Sequence, residues 1–215
     1  MVQRPKNEAE LQEREAIGVI RASRFIRRYA KAHTKISMGT VCRIHREIFS
    51  FAWSDIAGTY RGENLEITDS HHHPPHYTEV PGLMENADEE LAEKLEAVHM
   101  AEGTIRDEVI DEESAVGAID HVIKTAAWLH HVITYIHPFR DGNGRTARLA
   151  ANLILERFGL VGISIKVEQQ NKNRYRKALA QIDDHGDYEP LVEMMYEGLI
   201  ERYEGVPMKF YPAKK

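Results

Sequence analysis

A single cysteine, Cys42, is all that this 215-residue chain has for forming disulfides. An internal disulfide is therefore excluded, which points to a reducing compartment, and Cys42 itself falls in an apolar helical pattern as a small core residue. Long apolar runs are equally scarce. No segment approaches the ~18 consecutive apolar residues of a membrane span, and the polar opening Met-Val-Gln-Arg-Pro-Lys-Asn-Glu lacks the apolar stretch of a signal peptide. Excess positive charge is missing too. Against 28 Lys and Arg stand 34 Asp and Glu, a net charge of −6, which argues against nucleic acid or an acidic membrane as partner. Internal repeats and low-complexity tracts are absent. What remains is the composition of a cytoplasmic globular protein, 42% apolar and 29% charged, long enough for one domain with or without a terminal extension.

Helical periodicity dominates what is there. Leu11, Ile17, Ile20, Phe25 and Ile26 predict a first helix through about residue 30, with Arg27, Arg28 and Lys31 at its basic end. Ser37 is the N-cap of a second helix carrying Val41, Ile44, Ile48 and Phe51. From Ala57 to Pro81 the helical period disappears, and glycines, prolines and a short alternating run read as a loop or small hairpin. A third helix spans about 82 to 99, followed by a polar connection over 100 to 112. The fourth starts near Asp111, Glu112 and Glu113. Its stripe of Val116, Ile119, Val122, Ile123, Ala126, Leu129, Ile133 and Ile136 makes it the central core helix. Pro138 ends it and restricts the residue before it, so His137 is expected in an extended conformation that aims its ring out of the helix end. A fifth helix leaves a glycine turn and ends at Gly159, a sixth covers about 168 to 181, and a seventh follows Pro190. The fold class is all-α.

Between the fourth and fifth helices lies the densest chemistry of the chain, His137-Pro138-Phe139-Arg140-Asp141-Gly142-Asn143-Gly144-Arg145-Thr146-Ala147-Arg148. Glycines ahead of a helix let backbone N–H groups converge on an anion, and the helix start adds its positive dipole end. Arg145 and Arg148, three apart, share a face and reach further phosphate oxygens. Asp141 is a hard oxygen ligand of the kind Mg²⁺ takes when phosphates complete its shell. His137 is placed to act as a base near neutral pH. Together these residues describe a triphosphate cradle with a proton acceptor at its edge.

This stretch resembles the signature of the Fic family, H-x-F-x-[DE]-G-N-G-R-x-x-R, with every defining position filled. The resemblance covers about residues 37 to 204, leaving 1–36 as an N-terminal helical extension and 205–215 as a C-terminal tail. It implies a Fic-type helical bundle with a small β-hairpin flap and a protein adenylyltransferase activity: transfer of AMP from ATP to a Tyr, Thr or Ser hydroxyl of a target protein. In that reading His137 takes the hydroxyl proton, the oxygen attacks the α-phosphate, and pyrophosphate leaves. Asp141 carries Mg²⁺ and, with Gly142, Asn143, Gly144, Arg145, Thr146, Ala147 and Arg148, holds the ATP phosphates, while Phe139 anchors the loop.

The segment Ala57 to Arg61 through Pro74-Pro75 and Val80 resembles the family's flap, which pins the target by strand addition, with Thr68, Asp69 and Ser70 near its tip. Tyr175 and Asp183 resemble the adenosine side, although the spacing here is one residue longer than usual and Tyr175 reads equally well as a helix-packing aromatic. The cluster His71, His72, His73 and His76 invites zinc, but adjacent histidines on an extended chain face opposite ways and no Cys or carboxylate has ligand spacing nearby. Of His130 and His131, at least one packs on or caps the fourth helix.

Many Fic proteins restrain themselves with [ST]-x-x-x-E-[GN], whose Glu pairs with the second signature arginine, here Arg148. Only Thr59-Tyr60-Arg61-Gly62-Glu63-Asn64 matches, and its place at the flap base makes the match accidental. A separate antitoxin is the expected restraint, with Glu13 or Glu15 of the first helix as the internal alternative. The rival functions are another Fic-type phosphate-group transferase, the kinase-like Doc branch, which lacks the Gly-Asn-Gly-Arg run kept here, and a non-catalytic nucleotide-binding component of a toxin-antitoxin pair.

Overall fold

Ser37 opens a helix for a local reason. Its backbone is extended (φ −147°, ψ 170°), its hydroxyl accepts from the Thr40 N–H, and the Thr40 hydroxyl accepts in return from the Ser37 N–H. The computed structural model describes residues 5–32, 35–67, 72–106, 112–165 and 169–203, and in them this helix is the second of seven. They are α1 (Glu8–Ala32), α2 (Met38–Phe49), α3 (Val80–Arg106), α4 (Glu112–Ile136), α5 (Asn143–Arg157), α6 (Gln169–His185) and α7 (Glu189–Arg202), with one 3₁₀ turn at Ser54–Ile56. No strand occurs among the described residues. The described parts of the 57–79 segment are turns and irregular backbone, and the expected flap tip, Thr68 to Ser70, lies outside the described residues.

The consecutive helices α4 and α5 form the central pair. On one side α3 packs along α4, on another α1 covers both α2 and α5, and α7 closes the bundle against α4 and α6. Ile123, Ala126, Leu129 and Ile133 of α4 are fully buried in one core shared with Leu153 and Ile154 of α5, Ile44 and Ile48 of α2, and Leu91 of α3. The contact between α1 and α2 is backbone on backbone: a Cβ added at Gly18 would stand 1.9 Å from the Ile48 carbonyl oxygen. Only a residue without a side chain permits that crossing. No helix among the described residues is long and apolar enough to cross a membrane.

Several boundaries differ from the sequence reading. The polar connection expected over 100–112 is helical through Arg106, because α3 continues on the good helix formers Met100, Ala101 and Glu102 without an apolar stripe. Likewise α6 runs on to His185. Phe51 lies beyond the end of α2, 49% exposed, with the Arg21 guanidinium 4.2 Å above its ring instead of a core partner. Val116 and Ile119 begin the α4 stripe but remain exposed, so the buried part of that stripe starts at Ala118 and Val122.

Candidate active site

His137 stands where α4 stops. Its N–H still bonds to the Ile133 carbonyl at 3.1 Å, so the helical ladder reaches it before Pro138 breaks the run. The extended backbone expected there does not form: His137 is the only non-glycine described residue with positive φ, +52°. Pro138 disfavours the right-handed region for its neighbour, and the His137 carbonyl is drawn to the Arg61 Nε at 2.8 Å, so the chain turns through the left-handed region. Such a conformation costs a non-glycine residue ~1–2 kcal/mol and persists because surrounding bonds hold it. The imidazole Nδ1 donates to the Thr134 carbonyl at 3.2 Å, which fixes the tautomer and leaves the Nε2 lone pair able to accept a proton. Burial pulls the His137 pKa below the ordinary histidine range, against the opposing Thr134 hydrogen bond and with help from the Arg61 and His72 charges. The ring is therefore neutral, and able to accept a proton, at pH 7.

The loop that follows is stapled by Asn143. Its side-chain Nδ2 donates to the Phe139 carbonyl at 2.7 Å and its Oδ1 accepts from the Phe139 N–H at 2.9 Å. Phe139 is fully buried and stacks on the His45 ring, 3.9 Å between centroids and 11° between planes. His45 ties α2 to the same loop. Its Nδ1 accepts from the Gly58 N–H at 2.8 Å, so the proton resides on Nε2, which donates to the Asp141 carbonyl at 3.0 Å. Burial pushes its pKa down to about 4.

Gly142 then caps α5 with φ +74°, where a Cβ would meet the Phe49 ring at 2.2 Å. The first intrahelical bond of α5 runs from the Thr146 N–H to the Gly142 carbonyl, which leaves the N–H groups of Asn143, Gly144 and Arg145 without an acceptor in the helix. These three amides and the dipole behind them have the geometry that suits an anion.

The two signature arginines differ sharply. Arg145 is engaged on both sides, with Glu15 of α1 at 2.5 Å and Asp141 at 3.3 Å, and it lies 5.0 Å over the Phe49 ring. Arg148 is half-buried beside Gly144, and no carboxylate pairs with it among the described residues. The Asp141 carboxylate is about half exposed, so a cation carried in on phosphates can reach it. Among the described residues no group of three His, Cys, Asp or Glu is arranged to hold a metal ion, so phosphate oxygens would have to complete the shell. Thr146 and Ala147 are fully buried and present no side chain to a ligand.

Tyr175 and Asp183 of α6 both meet the histidines of α4. The Tyr175 hydroxyl is 2.7 Å from Nε2 of His130, and that buried phenol is pushed up to about 12. Asp183 is 2.8 Å from Nε2 of His131 and 3.9 Å from Nδ1 of His72, whose Nε2 donates to the Tyr135 carbonyl at 2.7 Å. His130 and His131 thus pack α4 onto α6, as expected of at least one of them. His72 and His76 turn to different partners, Tyr135 and Thr78, while His71 lies outside the described residues.

Glu63, the acid of the accidental motif match, pairs with Arg140 at 2.8 Å. Glu13 is exposed, and Glu15 reaches the first signature arginine, not the second. Sequence reasoning passed over His45, a polar residue on the apolar face of α2 whose partners lie 13 and 96 residues away.

Residues 35–155, more than half of the chain, match the model of the Fic/DOC family. The protein adenylyltransferase Fic of Nematostella vectensis is 30% identical over 186 residues, covering 86% of this chain and 38% of that protein. The protein adenylyltransferase fic-1 of Caenorhabditis elegans is 29% identical over 193 residues, 89% of this chain and 34% of that one. The chain therefore spans between a third and two fifths of the length of these curated relatives. Among solved structures, Fic-1 (residues 134–508) from C. elegans superposes with a TM-score of 0.61 at 28% identity, covering 95% of this chain and 54% of that one. The BepC protein of Bartonella tribocorum with bound AMPPNP gives 0.63 at 15% identity, over 90% and 88%, and so supports the fold alone.

Proposed function

The chain belongs to the Fic/DOC family, and from that premise we propose that it is a protein adenylyltransferase, moving AMP from ATP to a Tyr, Thr or Ser hydroxyl of another protein. The observation that carries this reading is one corner of the fold. A neutral histidine with its Nε2 left as the base ends α4, and the three open amides and unclaimed arginine of α5 begin immediately after it. His137 takes the proton of the acceptor hydroxyl, and the oxygen forms a bond to the α-phosphorus as the bond to the bridging oxygen breaks, releasing pyrophosphate. The amides of Asn143, Gly144 and Arg145, with the Arg148 guanidinium, hold the charge that develops on the phosphates. Asp141 is the residue that would hold Mg²⁺, which would supply positive charge to neutralise the phosphates.

The same reading makes the stretch from Ala57 to Val80 the flap that would pin the target segment, with Thr68, Asp69 and Ser70 near its tip, and it puts Tyr175 and Asp183 on the adenosine side. It also keeps residues 1–36 as an extension and 37–204 as the catalytic domain, with the tail 205–215 outside the described residues. The cytoplasm is the proposed setting. Arg148, free of any described carboxylate, suits restraint by a separate antitoxin more than by α1.

Lysate incubated with the protein and ATP labelled at either the α or the γ phosphate tests the activity. Label should pass to protein from the α position only, and His137→Ala should lower the rate at least ~10²-fold while ATP still binds. Transfer from γ alone would make the chain a kinase, and normal labelling by the alanine variant would remove His137 from the chemistry.

A further inference from the structure

Arg61 is 4% exposed, and no carboxylate pairs with it among the described residues. Burial lowers its pKa, yet a guanidinium remains charged, so its charge must be met by neutral acceptors. Those acceptors are backbone carbonyls drawn from two places. Its Nε donates to the His137 oxygen at 2.8 Å, one Nη2 contact reaches the Ile136 oxygen at 3.5 Å, and the Arg61 main-chain N–H donates to the Pro138 oxygen at 2.9 Å. On the other side, Nη1 donates to the Glu63 oxygen at 2.9 Å and Nη2 to the Pro75 oxygen at 2.5 Å.

The first group is the C-terminal end of α4, where the last carbonyls have no helical donors and carry the negative end of the dipole. It is also the pivot at which His137 adopts its left-handed backbone. Residue 61 holds three consecutive carbonyls, 136 to 138, across that pivot. The second group consists of the Glu63 and Pro75 carbonyls, so the same side chain ties both of these positions to the backbone of His137.

We infer that Arg61 is the positioning residue of His137: its guanidinium holds the backbone that aims the imidazole and ties the Glu63 and Pro75 carbonyls to it. The inference rests on the adenylyltransferase reading for its kinetic consequence but not for its geometry. A fork of five planar donors serves carbonyls in several directions, whereas an ammonium keeps the charge and can satisfy only a subset.

Arg61→Lys is the test, with Arg61→Ala beside it and folding followed by circular dichroism. Turnover of a labelled acceptor should fall ~10²-fold, the scale of a misplacement near 1 Å, while the ATP dissociation constant stays within about twofold. The ¹⁵N-histidine spectrum of the unliganded protein, with the His137 signal assigned from His137→Ala, should change from a fixed Nδ1–H tautomer to a mixture. Guanidinium ion added to Arg61→Ala should recover part of the turnover, and added ammonium should not. Wild-type turnover together with an unchanged tautomer in Arg61→Lys overturns the inference, as does a loss of ATP affinity that matches the loss of turnover. If the wild-type protein transfers no AMP at all, the proposed activity falls, while the tautomer measurement still decides the role of Arg61.

Discussion

Acid should loosen this fold well before its carboxylates titrate, and His45 sets the size of the effect. In the native state its Nδ1 lone pair accepts from Gly58 and its Nε2–H donates to Asp141, with no exposed surface on the side chain. Protonation would put an N–H against the Gly58 N–H and a charge among Phe49, Phe139 and Arg145. The folded pKa is pushed down to about 4 from an ordinary 6.5. A group whose folded pKa is depressed gives stability that is complete above the unfolded value and is lost as pH falls toward the folded one. The window is therefore pH 6.5 to 4, and between pH 7 and pH 5 the loss from this residue is about 2 kcal/mol. His130, fully buried beside Tyr175 and pushed down to about 3, loses a similar ~2 kcal/mol over the same interval. Urea denaturation at half-unit steps from pH 7.5 to 4.5 measures the slope. His45→Gln keeps a donor for Asp141 but cannot titrate, so its stability deficit relative to the wild type should shrink steadily below pH 6.5. Parallel curves for the two proteins down to pH 4.5 would refute the argument that His45 is held neutral by its two backbone partners.

Two further substitutions probe the loop and its connection to α1. Gly142→Ala meets both a left-handed backbone and the buried Phe49 ring, so it should cost ~3 kcal/mol and lower Tm by roughly 10 °C; a melting temperature within a degree of wild type would mean that the loop simply shifts aside. Glu15→Gln breaks the ion pair to Arg145 without touching Arg148, and should leave self-adenylylation flat or reduced in a gel assay with labelled ATP, whereas a rise above ~10-fold would make α1 the restraint. A point substitution is required there because α1 buries Ala22, Phe25, Ile26, Tyr29 and Ala30 in the common core, so deleting residues 1–30 would remove part of the fold with the acid.

Local signals were the legible ones. Ser37 as a cap, Pro138 as a stop and the Gly142 turn each act within a few residues, and each marks a real boundary. Apolar periodicity also found the stripe of α4, but a stripe cannot say how far its partner extends. Val116 and Ile119 stay exposed for that reason, as do Ile17 and Ile20 on α1. At the site, the residue types of 137–148 suggest phosphate chemistry, yet the division of labour among them depends on partners the motif does not contain. The Asn143 side chain is a staple in space, which leaves only its main-chain amide to face a ligand. Arg145 and Arg148 look equivalent until Glu15 claims one of them. The left-handed turn at His137 follows from Pro138 only once the Arg61 guanidinium is known to hold the carbonyl.

The pairs that complete the corner span long stretches of chain: 130 residues from Glu15 to Arg145, 96 from His45 to Asp141 and 76 from Arg61 to His137. The helical hairpin of α4 and α5 can close early, because its contacts are near neighbours. Its three outside supports each require a large loop to close, an entropic cost that only the packed bundle offsets. The signature corner is thus expected to be among the last parts of the molecule to take shape, and a nascent or partly unfolded chain would carry the whole signature without an aimed His137 ring. Competence for the proposed reaction would in this sense be a readout of finished folding.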